Sequence, residues 1–169
     1  GDRPVWTGLD SGNWQTASTG VSKNWKLQSA ATATDYLEGD NVLFDDTPTT
    51  GTTTVNIPAN VSPATINFNN SSKNYTIGGS AGITGAGALT KNGTGTLTLS
   101  NLNSFTGNST VNNGTLILSN GGTTGAIRGV LTINTGATVK LNAVHALGSG
   151  DNLSVTQVNI NGGTLDNAI

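Results

Sequence analysis

Residues 87–118 read GALTKNGTGTLTLSNLNSFTGNSTVNNGTLIL, and this stretch decides the fold. Within it, Leu97 and Leu99 alternate with Thr96 and Thr98, so one face of an extended segment is apolar and the other carries hydroxyl groups. Glycines separate this segment from similar runs on either side. Period-two alternation between glycine-rich corners predicts short, half-buried β-strands.

The same pattern extends along most of the chain. No window of helical length carries an apolar stripe, and the many Gly and β-branched residues disfavour helices, so the chain is predicted to be all-β. The runs are mostly shorter than the strands of a sandwich or an antiparallel barrel, which favours a parallel β-solenoid of about 20 residues per coil. The alternating runs are 54–57, 65–68, 75–77, 88–91, 96–99, 110–112, 115–118, 130–133, 138–141 and 155–160.

The other residues of the deciding stretch are assigned structural roles. Asn103 and Asn113 are expected to hydrogen-bond the corner backbone through their side chains, and Phe105 to fill the core near a turn. Four glycines fall between strands, where we expect φ values that residues with a Cβ adopt poorly. They are Gly93, Gly95, Gly107 and Gly114.

These residues also carry a resemblance to a known family. Residues 87–118 resemble the autotransporter-associated, or passenger-associated, β-strand repeat, whose pattern is approximately G-x-L-x-K-x-G-x-G-T-L-x-L-x-x-x-N-x-[YF]-x-G-x-T-x-V-x-x-G-T-L-x-L. The resemblance implies a right-handed, single-stranded parallel β-helix in the passenger region of a protein exported across a bacterial outer membrane. In such proteins the repeat supports export and folding. The implied location is extracellular or the bacterial outer-membrane surface.

Residues 1–46 differ in kind from residues 47–169. They hold all three tryptophans and seven of the nine acidic residues. The first coil of a solenoid exposes an apolar cross-section and open strand edges, so we interpret residues 1–46 as an aromatic-rich N-terminal cap. Residues 47–169 are interpreted as the coils. They end without an aromatic or charged closing segment, and we expect the natural protein to continue beyond them.

Two candidate binding sites lie in the cap. The aromatic side chains either pack its core or stack on sugar rings, and as ligand-binding candidates they are Trp6, Trp14, Trp25 and Tyr36. Five acids within twelve residues form an oxygen-rich segment of the kind that Ca²⁺ accepts, although a solvated acidic loop is the alternative. These acids are Asp35, Glu38, Asp40, Asp45 and Asp46. No other cofactor is predicted.

Composition excludes several other classes of function. Thr, Gly and Asn occur 28, 24 and 22 times, whereas charged residues make up 9% of the chain and the net charge is −2. Such a chain offers no basic surface for nucleic acid or anionic lipid. It has no cysteine, which excludes disulfides and thiolate metal sites, and no apolar stretch long enough to span a membrane.

The distribution of carboxylates argues against catalysis in the coils. No acidic residue occurs between Asp46 and Asp151, and the single histidine, His145, has no acid or cysteine near it in sequence. Polysaccharide-cleaving enzymes need paired carboxylates. The leading hypothesis is therefore a non-enzymatic structural or adhesive segment. Its expected partners are glycans, host or neighbouring cell-surface molecules, and the remainder of a larger parent chain. A carbohydrate-binding module is the main alternative, and a non-catalytic part of a polysaccharide-active enzyme is the third.

Overall fold

The computed structural model describes residues 1–150 and 153–169, and in them the chain forms strands and no helix. The predicted all-β class is confirmed, and this part of the chain holds no helix that could cross a membrane. The strands in chain order are β1 (Pro4–Trp6), β2 (Trp25–Leu27), β3 (Ala33–Thr34), β4 (Asn41–Asp45), β5 (Thr54–Asn56), β6 (Thr65–Asn69), β7 (Tyr75–Gly78), β8 (Ala88–Asn92), β9 (Thr96–Leu99), β10 (Ser109–Val111), β11 (Gly114–Leu118), β12 (Gly129–Asn134), β13 (Ala137–Leu141), β14 (Val155–Asn161) and β15 (Thr164–Asn167).

Two sheets run along the molecule. The first has the strand order β14-β12-β10-β8-β6-β4-β1-β2-β3, and the second has the order β15-β13-β11-β9-β7-β5. From β4 onward, neighbouring strands in each sheet are parallel. The chain therefore passes through one strand of each sheet in every coil and makes five full turns between β4 and β14. The predicted parallel β-solenoid is confirmed.

The parallel register places chemically similar residues next to one another in successive coils. Leu97 of β9 lies beside Leu116 of β11, which lies beside Val139 of β13, and all three are fully buried. Because side chains alternate between the two faces of a strand, the adjacent row points outward. That row contains Thr96, Thr115, Thr138 and Thr164. The inward rows of successive coils join into one continuous apolar core, as the alternation of Leu and Thr predicts.

The third side of each coil consists mainly of loops, which also form hydrogen bonds to the loops of adjacent coils. Val61 and Ile83 form an isolated parallel bridge. The backbone N–H groups of Ser104 and Phe105 donate to the Ile83 carbonyl at 2.8 and 3.1 Å. Phe105 is fully buried, which confirms its predicted place in the core. Hydrogen bonds between coils therefore occur on all three sides of the solenoid.

Residues near the N-terminus cover the edges of both sheets. Strand β1 pairs in parallel with β4 and antiparallel with β2, which in turn pairs antiparallel with β3. At the edge of the second sheet, Asn13 forms a bridge with Asn56, and the Trp14 N–H donates to the Asn56 carbonyl at 2.8 Å. This arrangement is that of a cap, because it leaves no long unpaired edge at this end.

The corner glycines serve two different needs. Gly93 and Gly114 have φ values of +79° and +70°, as expected. The φ angles of Gly95 and Gly107 lie outside the left-handed region, so the predicted conformational requirement for glycine is wrong at these two positions. Glycine is needed there because the backbones of adjacent coils approach closely. A Cβ at Gly107 would lie 2.1 Å from the Gly87 carbonyl oxygen, and one at Gly95 would lie 2.9 Å from carbonyl oxygens of the preceding coil.

Gly107→Ala tests this close approach. We expect the substitution to lower the free energy of unfolding by about 1–3 kcal/mol, because the neighbouring backbone must move to admit the methyl group. Gly20→Ala is the matched control, since a Cβ there meets nothing within 4 Å. It should change stability by less than about 0.5 kcal/mol. Denaturant titration followed by tryptophan fluorescence measures both. Equal stability of the two variants would contradict the tight coil contact at Gly107.

Candidate functional site

Five aromatic rings pack against one another at the N-terminal end. Trp25 meets Trp6 and Trp14 edge to face, with ring centroids 5.0 and 5.7 Å apart. Tyr36 meets Trp14 in the same way at 5.5 Å, and Phe44 lies within 5.8 Å of all three tryptophans. Such pairs contribute about 0.5–1.5 kcal/mol each beyond the burial of their surface. The rings therefore form the core of the cap.

The structure buries all four aromatic residues that were predicted to bind a ligand. Trp6, Trp14 and Tyr36 are 0% exposed and Trp25 is 3% exposed. Rings buried to this extent offer little free surface on which a sugar can stack, so this placement favours the packing alternative. Trp25 also lines a surface cavity of about 290 Å³, together with Leu9 and other residues. A ligand-binding role for the four residues stays a prediction.

Asn24 organises the loop that covers β5, a role that the sequence analysis missed. Its side-chain oxygen accepts the backbone N–H groups of Asp10, Ser11 and Gly12 at 2.9, 3.1 and 3.4 Å. Its amide nitrogen donates to the Asn13 carbonyl at 3.0 Å. Asn24 is buried, and it precedes Trp25 in the sequence. An asparagine beside a core tryptophan was the sequence feature that could have indicated this role.

Two of the predicted calcium ligands have strong partners within the protein. Asp35 accepts hydrogen bonds from the Lys23 ammonium at 2.6 Å and the Ser18 hydroxyl at 2.7 Å. Burial alone would raise the pKa of Asp35, but these donors hold it well below its usual value. Asp46 Oδ1 accepts three backbone N–H groups of residues 71–73, each at 3.0 Å. Burial again opposes the shift, yet these N–H groups lower the pKa of Asp46.

The other three acids lie at separate turns. Glu38 accepts the Tyr36 hydroxyl at 2.7 Å, and burial followed by this contact raises the pKa of Tyr36. Asp40 and Asp45 each accept a backbone N–H from a residue two or three positions away, at 2.8 and 2.9 Å. Among residues 1–150 and 153–169, no group of three or more His, Cys, Asp or Glu side chains is placed to hold a metal ion. Calcium binding at the five acids stays a prediction.

Lys91 is the most unusual polar residue of the coils, because it is fully buried. Its ammonium donates to the carbonyls of Asn92 and Gly93 at 2.8 and 2.7 Å, and reaches the Asn113 carbonyl of the next coil at 3.5 Å. Burial lowers the pKa of Lys91 to about 8, and the charge of Asp46 opposes this change. The ammonium is thus still protonated at neutral pH and joins two corners of adjacent coils.

Asn103 connects three successive coils from inside the core. Its side-chain oxygen accepts the Ile83 N–H at 2.9 Å, and its amide nitrogen donates to the Ala126 carbonyl at 3.1 Å. The same nitrogen donates to the Asn101 side chain at 3.1 Å. The predicted corner role of Asn103 is confirmed. At Asn113, by contrast, it is the backbone carbonyl that accepts a bond, from Lys91.

An asparagine ladder runs along the outside of the first sheet. The Asn112 amide nitrogen donates to the Asn92 oxygen at 2.8 Å, and Asn134 donates to Asn112 at 2.7 Å. Asn161 continues the series with a longer contact of 3.5 Å to Asn134. Each side chain donates toward the coil before it, so the ladder has a direction.

Comparison with known families agrees with this geometry. Residues 89–118 match the family model described as Passenger-associated-transport-repeat. The chain contains a passenger-associated-transport repeat. The matched residues form β8 to β11, which belong to two successive coils, and they include Lys91, Asn103 and Phe105. No curated protein and no solved structure matches the chain at a significant level.

The lowered pKa of Lys91 predicts a pH dependence of stability. Its pKa is about 8 in the folded protein and 10.5 for an unperturbed lysine. Between these values the unfolded chain binds more protons, so the free energy of unfolding rises with pH. Lys91→Met removes this contribution. In urea titrations from about pH 7 to about pH 9.5, the native chain should gain stability relative to the variant. If the stabilities of the native chain and of Lys91→Met changed with pH by the same amount, this would contradict the burial of Lys91.

Proposed function

We propose that the chain is a non-enzymatic structural segment of an autotransporter-like passenger, displayed on the bacterial surface or released from it. In this proposal the solenoid is a stalk, and the passenger-associated-transport repeat helps it to fold during export. The repeat family supports a surface or secreted location and a structural role. An adhesive role belongs to the same proposal, since a rigid stalk holds a binding region away from the cell.

The observation that carries this proposal is how the polar side chains of the repeat are used. Lys91 and Asn103 are buried and donate to backbone carbonyls of their own and the next coil. Asn112 bonds to side chains of the coils on both sides. These groups face neighbouring coils and not a cleft. Residues used in this way stabilise stacking, and each coil that forms offers ready partners to the next.

Surface display tests the proposed role in export. The chain is placed upstream of an outer-membrane translocator barrel, and the surface-exposed fraction is measured by protease accessibility on whole cells. Asn103→Leu removes the bonds to Ile83 and Ala126. We expect it to reduce the displayed fraction several-fold, because hydrogen bonds between adjacent coils are lost. Asn142→Leu, at an exposed asparagine, is the matched control and should display like the native chain.

Two results would contradict the proposal. The first is native-level display of Asn103→Leu when denaturation of the purified variant shows that it is less stable. The second is failure of the native chain itself to reach the surface in a host that displays other passengers through the same barrel. An equal loss of display in Asn103→Leu and Asn142→Leu would show that the added apolar side chain, and not the loss of hydrogen bonds between coils, reduces display.

A second candidate function is carbohydrate binding at the cap. It is favoured by the cavity of about 290 Å³, which combines Trp25 with the polar side chains of Ser22 and Lys26. A glycan array with the native chain and with Trp25→Phe tests this candidate, since phenylalanine keeps an aromatic ring in the cap core. Carbohydrate binding predicts a specific signal that weakens at least several-fold in the variant. Absence of any specific signal would contradict carbohydrate binding, and a specific signal that stays unchanged in Trp25→Phe would contradict binding at the Trp25 cavity.

A further inference from the structure

Two adjoining cavities lie on the surface of the cap. The first is the cavity of about 290 Å³ beside Trp25, and the second has a volume of about 190 Å³ and is lined in part by Pro48. Thr7, Leu9 and Lys26 line both cavities, so the two form one elongated groove, the cap groove. Ligand-binding clefts usually measure about 300–1,000 Å³, and the cap groove therefore has the size for a ligand of one or two sugar rings.

Lys26 gives the cap groove a positive charge. Lys23 also lines the groove, but its ammonium is bound by Asp35 at 2.6 Å. Within residues 1–150 and 153–169, Lys26 has no acidic partner of this kind. Among the same residues, no Asp or Glu side chain lines either cavity. A cation without a partner, in a cleft without acids, attracts an anionic group of a ligand.

The cap groove also presents apolar side chains to solvent. Leu9 and Val21 are 59% and 100% exposed, and both line the first cavity. Ala31 and Ala33 add methyl groups to the same lining. Single exposed apolar side chains are ordinary on a protein surface, whereas several that converge on one cleft indicate a ligand-binding surface. The ligand should therefore carry a small apolar group close to its anionic group.

Hydroxyl groups complete the lining of the cap groove. Ser22 lines the first cavity, and Thr47 and Thr49 line the second. Each hydroxyl can both donate and accept a hydrogen bond, as the hydroxyls of a sugar do. A carboxylate, a small apolar group and several hydroxyls occur together in one class of ligand, the N-acylated sugar acids.

We propose that the cap groove binds a glycan that ends in an N-acylated sugar acid. The carboxylate lies beside Lys26, the acyl methyl group packs against Leu9 and Val21, and the next sugar occupies the second cavity. This inference rests on the second candidate function, carbohydrate binding at the cap, and names its ligand class. It does not require a free aromatic face, because the charge and the apolar contact hold the sugar in place of stacking on a ring.

Saturation-transfer NMR with a matched pair of glycans tests the ligand class. The first glycan is lactose that carries a terminal N-acetylneuraminic acid, and the second is the same trisaccharide with its carboxylate reduced to the alcohol. Each is added to the full chain at concentrations up to about 1 mM. We expect the acidic glycan to bind, with the strongest transfer at its acetyl methyl protons. The reduced glycan should bind at least tenfold more weakly.

Two substitutions with matched controls test the site. Lys26→Met removes the charge but keeps an apolar stem, and should weaken binding at least tenfold. Lys140→Met is its control, because Lys140 is also half-buried but lies on β13 of the second sheet. Val21→Ser should weaken binding several-fold, whereas Val144→Ser, at a side chain that is 62% exposed in a loop of the coils, should not. Thermal unfolding checks that every variant is folded.

The outcomes separate this inference from the function on which it rests. Equal binding of the acidic and the reduced glycan would overturn the ligand class, while carbohydrate binding would stand. Native-level binding by Lys26→Met, or an equal loss in Lys26→Met and Lys140→Met, would overturn the site. If no glycan on the array gives a specific signal, carbohydrate binding at the cap is itself wrong, and this inference is wrong with it.

Discussion

Hydrogen bonds between successive coils are the interaction on which the rest of the structure depends. A coil of this chain has strands of three to seven residues and cannot enclose a core alone, so its apolar side chains are covered only when the next coil lies one strand spacing away. Corners turn too sharply for a regular ladder to satisfy every backbone group, and a buried carbonyl without a donor costs about 1–3 kcal/mol. Lys91 and Asn103 supply donors at such corners. At another corner, glycine at position 107 lets the backbones of adjacent coils approach closely.

This constraint limits where the molecule can recognise other molecules. Lys91, Asn103 and Asn112 bond to neighbouring coils, and most of the large apolar side chains of the repeat are buried between the sheets. What remains accessible is a hydroxyl- and amide-covered surface of low charge and the cavity beside Trp25. Such a surface suits the proposed stalk, because a surface with few charges and few exposed apolar groups offers little for nonspecific attachment.

The alternation of side chains and the corner residues made the coils predictable from sequence. The hydrogen bonds between residues far apart in sequence were not predictable in this way. The faces of Leu97 and Thr96 follow from a period of two, which is a local property. The burial of Lys91 could not be foreseen from composition, since lysine is seldom buried and its acceptors lie partly in another coil. Strands β1 to β3 also escaped prediction, because they are only two or three residues long and their pairing depends on the cap. The five clustered acids were adjacent in sequence, yet each serves a different turn, since turns use carboxylates to accept backbone N–H groups.

Distances along one outward row of the second sheet test the coil stacking most directly. Thr54, Thr76, Thr98, Ile117, Lys140 and Asp166 follow one another in this row, one per coil. The chain has no cysteine, so pairs of spin labels can be placed without interference. Stacking at ~4.8 Å per strand predicts a separation of about 24 Å for labels at positions 54 and 166, and about 19 Å for positions 76 and 166. Separations that do not shorten by one strand spacing per coil would contradict the parallel solenoid.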